Sequence, residues 1–267
     1  MELSQLGELG LLAELERRGL AQRIENDAAQ VDGLVVTQDA LVEGVHFRLD
    51  WISWRDLGWR AAAVNISDLS ASGAEPAGLV VSLGAPPRTR VEDVLQLYEG
   101  IAETGVPVVG GDTTRADSVL LSVTALGRAE RVPGRGGAQP GDLLVVTGPL
   151  GAAGAAFRDG GYVRPPIRTA EGRRLAQVAT AMLDVSDGLA RDAAHIANRS
   201  SVRCVIELDR VPLSDGAVVD DLAFGEDYEL LAATPDPLGF AVIGRCEEGA
   251  GVAGAPPGGW EHFEGAN

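Results

Sequence analysis

Acidic residues recur in this chain where an apolar run ends or a helix begins, and that placement limits the folds open to it. Asp39 closes the run Gly33-Leu34-Val35-Val36-Thr37. Asp112 follows Val108-Val109 and two glycines, and Asp27 precedes two small residues. Asp68 lies three residues after Asn65 in a helical stretch, so both share one helix face. Asp184 and Asp187 frame Leu183-Asp184-Val185-Ser186-Asp187-Gly188-Leu189, where a strand gives way to a helix. Glu226-Asp227 precedes another apolar run. One such carboxylate serves as a turn or helix cap. Several gathered at one place repel one another and require cations, and an all-oxygen donor set suits Mg²⁺ over Zn²⁺.

The elements that carry these acids are mixed. Periodicity predicts helices over 4–18, 55–72, 91–104, 150–158, 169–180 and 187–199. Strands are expected over 77–84, 106–110, 118–127, 143–147, 203–208, 228–234 and 239–245, besides the run that ends at Asp39. On 55–72, Trp59, Ala62, Ala63, Ile66 and Leu69 fall on one face. Strands and helices in both halves argue an α/β or α+β fold. The Pro/Gly-rich segment Val132–Gly137 punctuates the chain, so two α/β domains are expected, residues 1–136 and 137–267.

Composition then removes functions. All 22 basic residues are arginine, and lysine is absent. Schiff-base chemistry, a Walker A phosphate loop and the protein-kinase lysine are thereby excluded. The net charge of −17 disfavours nucleic acid and anionic membrane as partners. Cys204 and Cys246 match no C-x-x-C pattern. With no leader-like segment and no apolar run of about 18 residues, the chain reads as soluble and cytoplasmic. Gly110-Gly111-Asp112-Thr113-Thr114-Arg115 offers a weak phosphate-cradle signal, since consecutive glycines after an apolar strand expose N–H groups.

Read in order, the segments resemble the thiamine-monophosphate kinase family, within the aminoimidazole ribonucleotide synthetase-like superfamily. The matching stretches are Gly7-Glu8-Leu9, Ile24–Ala29, Thr37–Phe47, Ala63–Pro76, Val109–Arg115, Arg164-Pro165 with Arg168, Leu183–Ile196, Gly225–Leu230 and Trp260–Phe263. The resemblance implies ATP-dependent phosphorylation of thiamine monophosphate to thiamine diphosphate by direct transfer, with several Mg²⁺ ions. It implies Mg²⁺ ligands at Asp27, Asp39, Asp68, Asp112, Asp184 and Asp187, with further ligand oxygens from Thr37 and Gln38. It implies ATP contacts at Gly111, Arg135 and Ser186, and thiamine-phosphate contacts at His46, Glu226 and Trp260. It also implies a homodimer in which the N-terminal mixed sheets pair into a barrel.

The chain departs from the family pattern at three places. Glu25-Asn26-Asp27 replaces the usual Gly-Asp-Asp, Gln38 replaces a threonine, and Phe224-Gly225-Glu226-Asp227 replaces Gly-Gly-Glu-Asp. A selenophosphate-synthetase relative would want an early cysteine and a lysine, and a hydrogenase-maturation relative a C-terminal cysteine; neither pattern is present. The chain is expected to be shorter than its relatives around 160–163 and after 235.

Overall fold

Between Leu57 and Ala71 the charged or amide side chains are Arg60, Asn65 and Asp68, and most of the remainder are small or aliphatic. A computed structural model, which describes residues 2–22 and 26–260, shows why. These residues form the central helix α2 (Trp54–Ala71), buried on nearly every side rather than on the one face its periodicity suggested. Ser53 caps it by accepting the Asp56 N–H at 3.1 Å, and Asp56 places a negative charge in the first turn. Of the family-like motifs, Ile24, Glu25 and residues 261–263 lie outside the described residues.

The first half builds one sheet. After helix α1 (Leu3–Arg17) come β1 (Ala29–Val31), β2 (Leu34–Val42), β3 (Glu75–Ala85), helix α3 (Val91–Ala102), β4 (Val108–Arg115) and β5 (Leu120–Arg128). The strand order is β1-β2-β5-β3-β4, with only β3 and β4 parallel. The second half gives β6 (Leu143–Val146), α4 (Ala152–Arg158), α5 (Thr169–Ala176), β7 (Ala181–Asp184), α6 (Leu189–Ser200), β8 (Val202–Ile206), β9 (Leu230–Thr234), β10 (Ala241–Glu248) and β11 (Gly251–Ala253). Its order is β11-β8-β10-β6-β9-β7. The architecture is mixed α/β, with two sheets and six α-helices among the described residues.

Helix α2 joins the two halves. Its Leu57, Ile66 and Leu69 are fully buried in the first core with Leu79, Val81 and Leu121. Each such side chain contributes roughly 1.5–3 kcal/mol by leaving water. Its last residue, Ala71, packs instead with Leu175, Met182 and Leu230 of the second half. Helix α3 approaches α2 backbone to backbone. A Cβ at Gly58 would stand 1.9 Å from the Leu97 carbonyl oxygen, and one at Gly100 would stand 1.8 Å from the Arg55 carbonyl oxygen.

Several elements differ from the sequence expectation. Strand β2 runs on through Asp39 to Val42, because it pairs with β5 along that whole length. Gly110, Gly111 and Asp112 lie inside β4 rather than in a loop after it, paired in parallel with β3. Helix α5 stops at Ala176, four residues early; Arg131 donates to the Ala176 and Ala179 carbonyls, and the chain turns into β7. Strands β9 and β10 flank β6, both antiparallel to it, so the link between them is a crossover. Residues 235–240 make it without a helix. Six residues reach about 20 Å when extended, enough to return along so short a strand.

Replacing Gly100 by valine forces α3 off α2. We expect a loss of about 2 kcal/mol or more in urea unfolding, with the tertiary fluorescence transition moving to lower denaturant.

Candidate active site

Strand alternation sends Thr37 and Asp39 of β2 to the side of the sheet that α2 covers. Asn65 and Asp68, neighbours on one helix face, meet them there. Asn65 Oδ1 accepts the Asp39 N–H at 3.0 Å, and its amide donates to the Ala61 carbonyl at 3.0 Å. The Thr37 hydroxyl donates to Asp68 Oδ2 at 2.5 Å and lies 3.1 Å from the Asp27 carbonyl. From the second half, β7 ends on Asp184, whose Oδ2 accepts the buried Ser67 hydroxyl at 2.5 Å. Asp27, Asp68 and Asp184 thus bring carboxylate oxygens within 4.8 Å of one another.

Electrostatics makes this cluster costly as it stands. Burial pushes the Asp68 carboxyl well above the usual range, and Asp39, Asp184 and Asp27 add repulsion. Burial, with Asp27 next in weight, raises Asp184 to about 8. Burial also raises Asp27, against the opposing pull of Arg135, whose Nε and Nη2 both donate to Asp27 Oδ1 at 2.9 and 2.5 Å. One arginine does not balance the cluster. A divalent cation held by several carboxylate oxygens does, and the all-oxygen donor set fits Mg²⁺.

The segment Gly225–Leu230 is stitched to the loop after β7. Glu226 N–H donates to the Ser186 carbonyl at 2.8 Å and Tyr228 N–H to the Val185 carbonyl at 2.9 Å. Gly225 sits at φ +82 with the Ser186 carbonyl oxygen 2.2 Å from where a Cβ would stand, so no side chain fits. Its acids then diverge. Glu226 pairs with Arg60 of α2, and Glu229 takes a two-point contact from Arg168 at 2.7 and 2.5 Å. Asp227 accepts the Gly151 N–H at 2.9 and 2.8 Å and is raised to about 6 by burial.

These groups open onto one cavity of about 760 Å³. Asp27, Thr37, Gln38, Asp39, His46, Asp68, Arg135, Asp184, Ser186, Asp187, Glu226 and Trp260 all border it. Gly111 and Asp112 do not; they lie on β4, an edge strand exposed along its whole length. A Cβ at Gly111 would stand 1.9 Å from the Val81 carbonyl oxygen, so this glycine admits close strand pairing. Gly110 and Gly111 thus sit in a paired strand and not in a turn after it. Gln38 also departs from expectation: its amide bonds Ser122 and Thr124 of β5, on the sheet face opposite Thr37 and Asp39. His46 Nδ1 accepts the Val42 N–H at 3.0 Å, which leaves Nε2 as the protonated nitrogen of the neutral ring. Asn26 Oδ1 accepts the Arg135 N–H at 2.8 Å.

Sequence reasoning missed Arg60, which is 5% exposed and borders the cavity. Its Nε and the Tyr162 hydroxyl are buried without a hydrogen-bond partner. A lone arginine within a helix stretch of small and aliphatic residues was the available signal. Aromatic clustering was missed as well. The chain has four Trp, three Tyr and five Phe, and seven of these twelve line the cavity, among only 33 lining residues.

Residues 25–129 match the family model described as AIR synthase related protein, N-terminal domain. The thiamine-monophosphate kinase of Aquifex aeolicus is 33% identical over 307 residues, covering 98% of this chain and all of that protein. The chain belongs to the thiamine-monophosphate kinase family. That alignment is longer than the chain itself, so the Aquifex protein carries segments that this one lacks. The thiamine-monophosphate kinase of Mycobacterium tuberculosis is 37% identical over 92% of this chain and 87% of its own. A solved structure, AaThiL complexed with AMPPCP and TMP, superposes with a TM-score of 0.90 at 33% identity, over 98% of this chain and 99% of that one. Hydrogenase maturation protein HypE in complex with ATP, at 22% identity, TM-score 0.66 and coverage of 89% and 85%, shares the fold.

The raised carboxyls set a pH dependence in the metal-free protein. A folded-state pKa above the unfolded value means that the fold holds protons the unfolded chain releases. Stability therefore falls as pH rises from the ordinary carboxylate range toward about 8. Thermal melts of metal-free protein should show that fall. Added Mg²⁺ should reverse it, most strongly at the alkaline end, with proton release on binding seen by calorimetry in two buffers.

Proposed function

We propose that this chain transfers the γ-phosphoryl group of ATP to thiamine monophosphate, giving ADP and thiamine diphosphate. The convergence of Asp27, Asp68 and Asp184 in a cavity rich in aromatic rings carries this reading. Acids at one place suit two polyanions bridged by cations, and rings suit a heteroaromatic cation such as thiazolium. The relatives' names and the AMPPCP and TMP of the superposed structure support it.

The chemistry asks little covalent work of the protein. The second ionisation of a phosphate monoester lies near 6, so the acceptor oxygen is already charged at neutral pH. No general base is needed, and catalysis reduces to alignment and charge neutralisation. Mg²⁺ ions, when bound, neutralise the phosphate oxygens and the carboxylates together. Asp27, Asp39, Asp68 and Asp184 would hold them, with Asp187 at the cavity edge and Thr37 orienting Asp68. Arg135 and Ser186 face the nucleotide in this reading. His46 Nε2–H supplies a donor toward the acceptor phosphate, Glu226 a carboxylate toward thiamine, and Trp260 a ring face.

The homodimer implied by the family resemblance belongs to the same proposal. Strand β4 supports it, because an exposed edge with Val108 and Val109 invites pairing. Such pairing would bring Gly111 and Asp112 to a shared nucleotide region. We place the domain boundary at 136/137, in the link between the two sheets. Cytoplasmic location is supported by Cys204 and Cys246, which face each other across β8 and β10 as free thiols. Among the described residues no helix is long and apolar enough to cross a membrane.

Incubation with ATP, Mg²⁺ and thiamine monophosphate should yield thiamine diphosphate by chromatography; absence of product overturns the assignment. Asp68→Asn, nearly isosteric, should lower kcat by about 100-fold or more while leaving the circular dichroism spectrum unchanged. Sedimentation velocity should give the mass of two chains, and a single-chain mass would reject the dimer.

A further inference from the structure

Five aromatic residues at the cavity belong to none of the three hydrophobic cores, and three of them, Trp51, Phe157 and Phe224, form a group. They touch one another instead. Phe157 packs on Phe224 with ring centroids 4.9 Å apart and planes inclined 30°, and Trp51 meets Phe157 edge-on at 5.7 Å. Trp51 and Phe157 remain 45% and 50% exposed. Large rings recruited for stability are buried, and rings left half open beside a cavity offer a flat face to a ligand.

The cluster is held from behind. The Arg48 guanidinium stacks 4.5 Å from the Trp51 ring and is itself paired with Asp50 at 2.5 Å. Phe157 rides on α4, whose N-cap residue Gly151 donates its N–H to Asp227. The next residue, Arg158, donates to both Asp221 oxygens and to the Gly216 carbonyl at 2.9 Å. Asp221 lies in the 3₁₀ turn Val219–Ala223, which ends at Phe224. Phe224 takes ordinary right-handed backbone angles, φ −73 and ψ −39, so a side chain costs nothing there. Two residues later stands Glu226, already assigned to the thiamine end of the site.

We propose that Trp51, Phe157 and Phe224 form a preorganised aromatic ledge that receives a planar heteroaromatic ring of the acceptor substrate and sets specificity for it. The ledge rests on the kinase reading above for the identity of that ring.

Calorimetric binding and steady-state kinetics with thiamine monophosphate, on the full chain with Mg²⁺, test it. The pair Phe157→Ala with Phe224→Ala should weaken thiamine monophosphate binding and raise its KM by about tenfold, with KM for ATP unmoved. The leucine pair, Phe157→Leu with Phe224→Leu, keeps apolar volume without a flat face and should weaken binding in the same direction, which guards against misfolding of the alanine pair. Phe224→Tyr, which keeps a flat ring, should bind thiamine monophosphate within about twofold of the parent. Binding and KM within about twofold of the parent in both pairs overturn the ledge, as does a parent chain that binds no thiamine monophosphate. Ledge-dependent binding without formation of thiamine diphosphate overturns the kinase reading and leaves the ledge standing.

Discussion

Placing the oxygens of Asp27, Asp68 and Asp184 within 4.8 Å of one another, largely out of water, is the constraint on which this structure turns. No single half of the chain could create it. Asp27 and Asp68 come from the first half and Asp184 from the end of β7 in the second. The cluster exists only when the two sheets are docked. Left alone it opposes that docking, since like charges in low dielectric raise one another's pKa and favour protons. Arg135 reduces the repulsion from one side, and Ser67 and Thr37 fix the direction of the lone pairs. What remains is a demand for positive charge, which divalent cations held by these oxygens would meet.

Docking against that repulsion depends on two devices. The first is α2, which packs in the first core through Leu57, Ile66 and Leu69 and touches the second half through Ala71. It also carries Asn65, Ser67 and Asp68 inward. The second is the segment Gly225–Leu230. Its Glu226 and Tyr228 take φ values of 57 and 51, conformations that cost of order 1–3 kcal/mol each for such residues. A regular strand would alternate its side chains between two faces. The twisted backbone instead sends Glu226 to Arg60, Asp227 to the start of α4 and Glu229 to Arg168. The backbone bonds to Ser186 and Val185 hold the strain in place.

Much of this was legible before any coordinates. Local pattern predicted most helices and strands within a few residues, and the acid-at-strand-end placement pointed to Asp27, Asp39, Asp68, Asp184, Asp187 and Glu226, which border the cavity, but also to Asp112, which does not. Two kinds of information were not local. Whether Gly110-Gly111 lies in a loop or a strand depends on pairing with β3, which sequence periodicity does not encode. Alternation within the expected strand already puts Gln38 opposite Thr37 and Asp39; what it does not give is that Ser122 and Thr124 of β5 stand there to bond its amide. The aromatic cluster was invisible for a different reason: Trp51, Phe157 and Phe224 are far apart in the chain and meet only through folding.

The absence of lysine acquires a physical sense at this site. A buried lysine loses its proton readily, with a pKa that falls by several units when desolvated. Beside acids whose own pKa is raised by burial and mutual repulsion, such a lysine would trade protons with them, and its charge would vanish with theirs. Arginine does not deprotonate in proteins, so Arg135 keeps its charge next to Asp27 whatever the acids do. Its planar fork also makes two directed bonds where an ammonium offers a point charge, as Arg168 does with both oxygens of Glu229. In an arginine-only chain the fixed positive charge is constant, and the acids are balanced by the protons they take up or by any divalent cations they hold. A cation entering the cluster would displace those protons and leave the arginine charge unchanged.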